Sequence, residues 1–538
     1  MNITQSRSWA ALAQHRDQIL RRPVRDLFAA DPARFDRLSL RLDDLLLDFS
    51  KQHLTAETVK LLVDLANERG LADGIARMAA GEQINFTERR AALHVALRAE
   101  REYRVAGRSV TPEVQASLQR VLALAETIRR GELKGATGAP IRHVVNLGIG
   151  GSDLGPRMAN RALAAHAADT PRVDYVANID PAELAAVLRH AKPEQTLFIL
   201  SSKSFGTQET LENARAARAW LAAALGSEQA AGAHFYAVSN NLKAAAEFGI
   251  DPARCFELPE WVGGRFSMWS AIGLPLACSI GAAGFRALLA GARDMDEHFL
   301  AAPFEHNLPV MMGLIGLWNI DFLGADSLAV LPYSSGLAEL PDYLQQLEME
   351  SNGKRVDREG QPVPVQTAPI LWGGPGTVGQ HAYHQLLYQG TRRVAIDFVV
   401  PVGAAGVAQE ALVGNALAQS AALMLGKTED EARRELLARG MAGDEAARLA
   451  PHVVCPGNQP SSTVLFPALT PRALGRLIAL YEHKVYVQGW IWGINCFDQY
   501  GVELGKQMAR ALATAGAAEA GMDGSTAGLM RAVRAMRG

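Results

Sequence analysis

The densest chemistry in this chain lies near its C-terminal end. Residues 497–506 place Asp498, Gln499, Glu503 and Lys506 directly behind the aromatic run Gly489, Trp490, Ile491, Trp492. A plain core helix has no use for that mixture, and a solvated face would not follow aromatics so closely. The arrangement suits a lysine held at the edge of a pocket, its ammonium presented to a ligand. The spacing alone proves little.

Two passages from strand to loop could hold an anion. In the first, Val145, Asn146 and Leu147 run into Gly148, Gly150 and Gly151, followed by Ser152 and Asp153. Glycines there let the backbone approach a ligand and present its N–H groups. A dinucleotide fingerprint would need a third glycine where Asp153 stands, and a carboxylate suits a pyrophosphate poorly. The second passage places Ser202, Lys203, Ser204 and Thr207 between a strand at 196–200 and a helix. Hydroxyls, an ammonium and helix N-terminal amides make a cradle for a monophosphate. The same residues also read as an ordinary Ser/Thr-capped helix start, and both readings stand. Lys203 favours the ligand, because a helix N-terminus is a poor place for an unpaired cation.

Farther along, Gly263 and Gly264 leave Arg265 uncrowded, so its guanidinium can reach a ligand oxygen. A fixed positive charge there would stabilise an enediolate; a structural ion pair is the plainer alternative. Helical spacing puts Gln346 and Glu350 on one face and turns Glu348 elsewhere. One carboxylate over two adjacent carbons can remove a proton beside a carbonyl and return it to the neighbour, provided water is excluded. The stretch also reads as an acidic helix end closed by Asn352 and Gly353, which is compatible. His381 could exchange a proton near neutral pH. His384 stands three residues on, but no Cys, Asp or Glu accompanies the pair at ligand spacing, so no metal is expected.

These residues need elements to position them. Up to roughly residue 130 the chain reads as helices, with apolar positions three and four apart over 38–48 and 58–66. After Gly135–Pro140 the texture changes. Short β-rich runs at 143–147, 173–177, 196–200, 234–238 and 255–258 alternate with Ala-rich helical ones. The pattern recurs at 327–331, 370–372, 394–400 and 464–466, while 429–439 reads as a solvated, ion-paired helix. Such alternation predicts βαβ units and two parallel-sheet sandwiches in tandem, which hold ligands outside the carboxyl ends of their strands.

Composition narrows the partners. With 54 basic and 56 acidic residues the net charge is −2, so no global field draws nucleic acid or anionic membrane. Cys255, Cys278, Cys455 and Cys496 lie far apart and read as buried hydrophobes of a reducing compartment. No apolar run follows the early arginines, so no signal peptide is expected. Residues 266–285 carry no charge, yet include Ser267, Gly273 and Pro275; with 307–320 they read as helices buried within the protein. The chain is expected to be soluble and cytoplasmic.

Six blocks, in order from the Gly148 loop to Lys506, resemble the glucose-6-phosphate isomerase family. The others run through Ser201–Thr210, Glu260–Ser267, Met349–Lys354, Gly379–Ala382 and Phe497–Lys506. The chain departs at Gly206, which replaces a threonine, and at Ser204, Gly374 and Val378. The resemblance implies reversible isomerisation of D-glucose 6-phosphate and D-fructose 6-phosphate through a cis-enediolate. It makes Glu350 the base, Arg265 the charge stabiliser, His381 the ring opener and Lys506 the contact to the ring oxygen. Ser202, Ser204 and Thr207 would hold phosphate, with Gly151, Ser152, Lys203, Gln346 and Gln499 as further substrate contacts. The implied fold is α/β: two tandem three-layer α/β/α sandwich domains of the sugar-isomerase type, with parallel-type sheets. Residues 1–115 would form an N-terminal helical segment, 116–280 a small domain, 281–505 a large domain and 506–538 a helical arm. A homodimer is implied, with His381 supplied to each site by the partner; no cofactor is.

Two rivals remain testable. A non-catalytic sugar-phosphate sensor would keep the Ser202–Thr207 cradle but has no need of Glu350, His381 and Lys506 together. A nicotinamide-dependent dehydrogenase lacks its third glycine and its ribose-binding acid. The isomerase reading requires Arg265 and Glu350 to touch one six-carbon molecule.

Overall fold

A computed structural model describes residues 2–167, 171–514 and 522–537. The chain divides into two compact units, Met1–Phe497 and Asp498–Gly538. The strands in chain order are β1 (Ser39–Leu42), β2 (Leu45–Asp48), β3 (Arg104–Val105), β4 (Arg108–Ser109) and β5 (His143–Gly148). Next come β6 (Arg172–Val176), β7 (Thr196–Ser201), β8 (Phe235–Val238) and β9 (Cys255–Phe256). The last are β10 (Ser327–Pro332), β11 (Ile370–Gly373), β12 (Ala395–Pro401) and β13 (Ser461–Phe466).

Among the described residues, these make two large sheets in the first unit. One is wholly parallel with order β6-β5-β7-β8-β9. The other has order β1-β2-β13-β12-β10-β11, parallel except for the β1–β2 hairpin, which pairs antiparallel with itself and with β13. Alternation along the strands sorts side chains into separate cores, as the pleat requires. Val144, Leu197, Ile199 and Val238 join the main core, which also takes Val330, Val399 and Val464 from the second sheet. Val145, Leu147, Phe198 and Leu200 face the other way, onto the helix Gln208–Leu225 through Ala214, Ala217 and Leu221. In the second sheet Ala329, Leu331, Ile396, Phe398 and Val400 line a third cluster. Each sheet is therefore covered on both faces. The α/β tandem expected from the alternating runs is present.

The main core lies around two long helices, Leu274–Ala301 and Pro471–Trp492. They cross at very short range: a Cβ at Gly291 would collide with the Arg472 carbonyl, and one at Gly475 with that of Leu288. The uncharged run thus ends up inside. Ala271–Ala301 is long and apolar enough to cross a membrane, yet most of its most apolar stretch is buried in protein. Gly281 breaks its helical path at φ 73°, ψ 171°.

The N-terminal segment departs from its all-helical reading. Residues 38–48 are not helical; they form the β1–β2 hairpin, turning at Asp43 with φ 51°. A run such as Leu45-Leu46-Leu47 fits a helix or a buried strand equally well by periodicity. What decides is the exposed edge of β13, which β2 covers.

In the second unit a short turn, Tyr500–Val502, leads into the helix Glu503–Thr514, and Gly524–Arg537 is helical too.

Candidate active site

Strand order tells where to look. The chain passes from β5 to β6 on one side and then to β7 on the other, so winding reverses between β5 and β7. Loops at the carboxyl ends of such a pair diverge and leave a crevice. The two loops marked as anion-binding leave β5 and β7 there. In the second sheet the reversal falls at β10, flanked by β11 and β12.

Asn146, a polar residue inside β5, ties the first two loops together. Its Nδ2 donates to the Ser152 carbonyl (3.0 Å) and its Oδ1 accepts from Ser201 Oγ (2.8 Å). Beyond β7, Ser202 Oγ lies 3.3 Å from Thr207 Oγ1. Thr207 occupies the N-cap position of Gln208–Leu225, yet its side chain makes no capping bond. The hydroxyl stays beside Ser202 at a helix N-terminus, an arrangement that suits an anion. Phe205 adopts φ 51° and buries its ring in the small-sheet core, while Ser204 and Gly206 are exposed.

Lys203 behaves differently from its expected partners. Its Nζ points to the carbonyls of Pro259 (3.4 Å), Glu260 (3.5 Å) and Val262 (3.3 Å), and burial lowers its pKa. The ammonium thus ties the β7 loop to the segment before Arg265. Asp153 is also inward: burial raises its carboxyl to about 7 despite Arg157 at 3.1 Å, because desolvation outweighs a partly exposed partner.

Gly151 meets the arginine loop at a distance only glycine permits. A Cβ there would overlap the Gly264 carbonyl, and one at Gly150 would lie 3.1 Å from Gln346 Nε2. Arg265 is held on three sides in a buried slot. Nε donates to Ser351 Oγ (2.6 Å), Nη2 to the Cys496 carbonyl (2.7 Å), and Nη1 sits 3.3 Å from Glu350 Oε2. The same Glu350 oxygen accepts from Gln346 Nε2 at 2.9 Å, so Gln346 and Glu350 do share a face. The Glu350 side chain keeps 21% exposure, against 1% for Arg265. Lys354 Nζ caps the carbonyls of Glu350 and Ser351 at 2.8 Å each.

A wholly buried ionic cluster stands behind the arginine loop. Arg98 grips Asp296 through two 2.7 Å bonds and Glu482 through a third of 2.7 Å, and Glu482 accepts from the Trp269 indole (2.8 Å). His94, whose pKa burial pushes well down, stacks on Phe266 with ring centroids 4.6 Å apart. Arg265 thus has a rigid backing.

Three candidates remain: His381 in the first unit, and Gln499 and Lys506 in the second. His381 closes the turn Val378–His381, exposed and without a hydrogen-bond or ion-pair partner among the described residues. Its neighbour Gln380 is anchored on Tyr333 Oη at 2.9 Å, while His384 is buried against Gln419. Gln499 and Lys506 belong to the second unit, where both are exposed and Lys506 Nζ bonds Glu503 Oε1 at 2.8 Å. Sequence reasoning missed Asn146, Ser351, Lys354 and Arg98. For Asn146 a signal existed: a lone amide within a run otherwise fit for a buried parallel strand.

Fold and site together define a tandem α/β protein whose strand-end loops converge on a carboxylate–guanidinium pair. Comparison with known proteins makes the class specific. The sequence model of the family described as Phosphoglucose isomerase matches residues 48–530. A glucose-6-phosphate isomerase of Aromatoleum aromaticum is 59% identical over 537 residues, covering 98% of this chain and 97% of the relative. One from Deinococcus deserti is 51% identical, covering 99% of each. Among solved structures, a glucose-6-phosphate isomerase from Chlamydia trachomatis superposes with TM-score 0.86 at 30% identity over 100% of both chains. A hypothetical protein from Thermus thermophilus gives 0.63 at 26% identity, covering 87% of this chain and 100% of that one. The chain belongs to the phosphoglucose isomerase family.

Proposed function

We propose that this protein interconverts D-glucose 6-phosphate and D-fructose 6-phosphate, as a cytoplasmic homodimer. The observation that carries the reading is the single Glu350 oxygen shared between Arg265 Nη1 and Gln346 Nε2. With substrate present, Glu350 takes the proton from C2 of the open aldose. The C–H electron pair becomes the C1–C2 double bond, and the carbonyl pair moves to O1. Glu350 is then neutral, and the guanidinium that faced it faces the new enediolate charge instead. Positive charge already fixed in a buried slot needs no reorganisation at that moment, which is the condition for electrostatic stabilisation. The proton returns from Glu350 to C1, the O2 proton passes to O1, and the ketose results.

Ser202 and Thr207, with Ser204, Gly151 and Ser152, form the proposed phosphate end. Lys203 acts from outside by holding that loop to the arginine segment. The family resemblance supports Gln499 as a sugar or phosphate contact and Lys506 and His381 in ring opening. His381's exposure, with no hydrogen-bond or ion-pair partner among the described residues, fits a group delivered across a dimer. Residues 116–280 and 281–505 are the proposed small and large domains. A coupled assay with fructose 6-phosphate and excess chelator tests the reading. Turnover undiminished by chelator is expected; no glucose 6-phosphate formation by folded dimer would refute it.

A further inference from the structure

Glu348 was left without a role by the catalytic reading, since it faces away from Glu350. It is nevertheless among the most buried charges in the molecule. Residues Gln346–Glu350 form a π-helical turn, a wound-out geometry that recurs at functional sites because it needs outside support. Glu348 lies in the middle of it, 1% exposed. Its Oε2 accepts from Lys484 Nζ at 2.5 Å and its Oε1 from Asn352 Nδ2 at 3.3 Å. The same Asn352 amide donates to the Val485 carbonyl (3.1 Å), so two bonds run from this turn to the helix Pro471–Trp492. Both side chains of the ion pair are 2% exposed.

The surroundings of Lys484 are also polar. A cavity of about 20 Å³ beside it is lined by Gln488, Asn319, Gln52, Ser462 and Asp397. Gln488 Nε2 and Oε1 and Asn319 Oδ1 have no hydrogen-bond partner among the described residues, although both residues are buried. That volume is large enough for one water, and buried waters serve such leftover donors and acceptors. An ammonium has three donors, and Glu348 takes one of them.

We propose that Lys484 is a positioning residue for Glu350: from the core helix it clamps Glu348, and thereby the π-helical turn, so that Glu350 stands against Arg265. This rests on the isomerase reading above and deepens it. The clamp reaches the turn from the side opposite the substrate. Its partners on the catalytic face are Gln346 and Arg265, and at its C-terminal end the Lys354 ammonium.

Removing one member of a buried pair strands the other, so Lys484→Met alone would confound folding with function. The test is the double variant Lys484→Met/Glu348→Gln, which removes both charges and keeps both shapes. Expected are a thermal midpoint within a few degrees of wild type and kcat for fructose 6-phosphate lowered about 10–100-fold, with KM changed less than about twofold. Hydrogen exchange at amides 346–352 should be faster than in wild type. A folded double variant with wild-type kcat overturns the proposal, and so does slower turnover without faster exchange at that turn. If wild type itself failed to isomerise, the functional reading would fall, while the exchange measurement would still decide whether the clamp exists.

Discussion

At the scale of single residues, the site is a contest over one carboxylate oxygen. Glu350 Oε2 is held by Arg265 and Gln346 at once, and Arg265 is itself locked by Ser351 and the Cys496 carbonyl. Glu350→Gln keeps the shape and removes the base, so turnover should fall about 10²–10⁴-fold, with competitive sugar-phosphate binding nearly unchanged. Measured C2 proton exchange with solvent at the wild-type rate would contradict that role. Asp153 offers a test of a different kind. Its folded carboxyl titrates near about 7 against an ordinary 3.8, so the fold binds this proton more tightly than the unfolded chain. Its contribution to stability is complete below the unfolded value and is lost as pH climbs through the folded one. Asp153→Asn should therefore gain in thermal midpoint over wild type between about pH 4 and about pH 8, and a difference that stays flat with pH would exclude this burial effect. Residue types and spacing were enough to read Gln346 and Glu350 onto one face. They could not reveal that Lys203 turns to carbonyls more than fifty residues on, since that contact depends on how two loops fold toward each other.

At the scale of elements, the helices Leu274–Ala301 and Pro471–Trp492 set the frame on which everything else is hung. Their close crossing depends on Gly291 and Gly475, where any side chain would meet backbone. Gly475→Leu should cost about 1–3 kcal/mol or more, seen as an earlier denaturant midpoint with little change in m-value. An unaltered midpoint would mean that the crossing is looser than the structure has it. The two-residue strands β3 and β4 left no such run, but β5 to β13 were each legible as a short β-rich run, because a parallel sheet covered on both faces leaves a run of apolar residues. The hairpin β1–β2 was not, because three consecutive leucines carry no period. The triplet Glu482, His483, Lys484, midway along a helix rich in apolar residues, was a visible signal as well. Ionisable groups in a buried helix must find partners, and here these are Arg98, Asp296 and Glu348.

At the scale of the whole molecule, the proposed sharing of sites rests on His381, which is exposed and has no hydrogen-bond or ion-pair partner among the described residues. Shared sites make a sharp prediction: Glu350→Gln and His381→Ala variants, each inactive, should complement when mixed. Random exchange gives half heterodimers, each with one intact and one doubly damaged site, so about a quarter of wild-type activity should return. No recovery after demonstrated subunit exchange would place His381 in its own chain's site or in none.

The chemistry on offer and the class of fold can be read from the order of residues alone. Hydroxyls, glycines and single charges at fixed spacing are local facts, and so is the alternation of β-rich and helical runs. Which of those groups meet depends on how the chain packs. Arg265 and Glu350 are 85 residues apart in the chain and 3.3 Å apart in space. The physical reason is burial. A charge taken from water must find a partner wherever the packing of helices and sheets brings one, and that packing is a property of the whole chain.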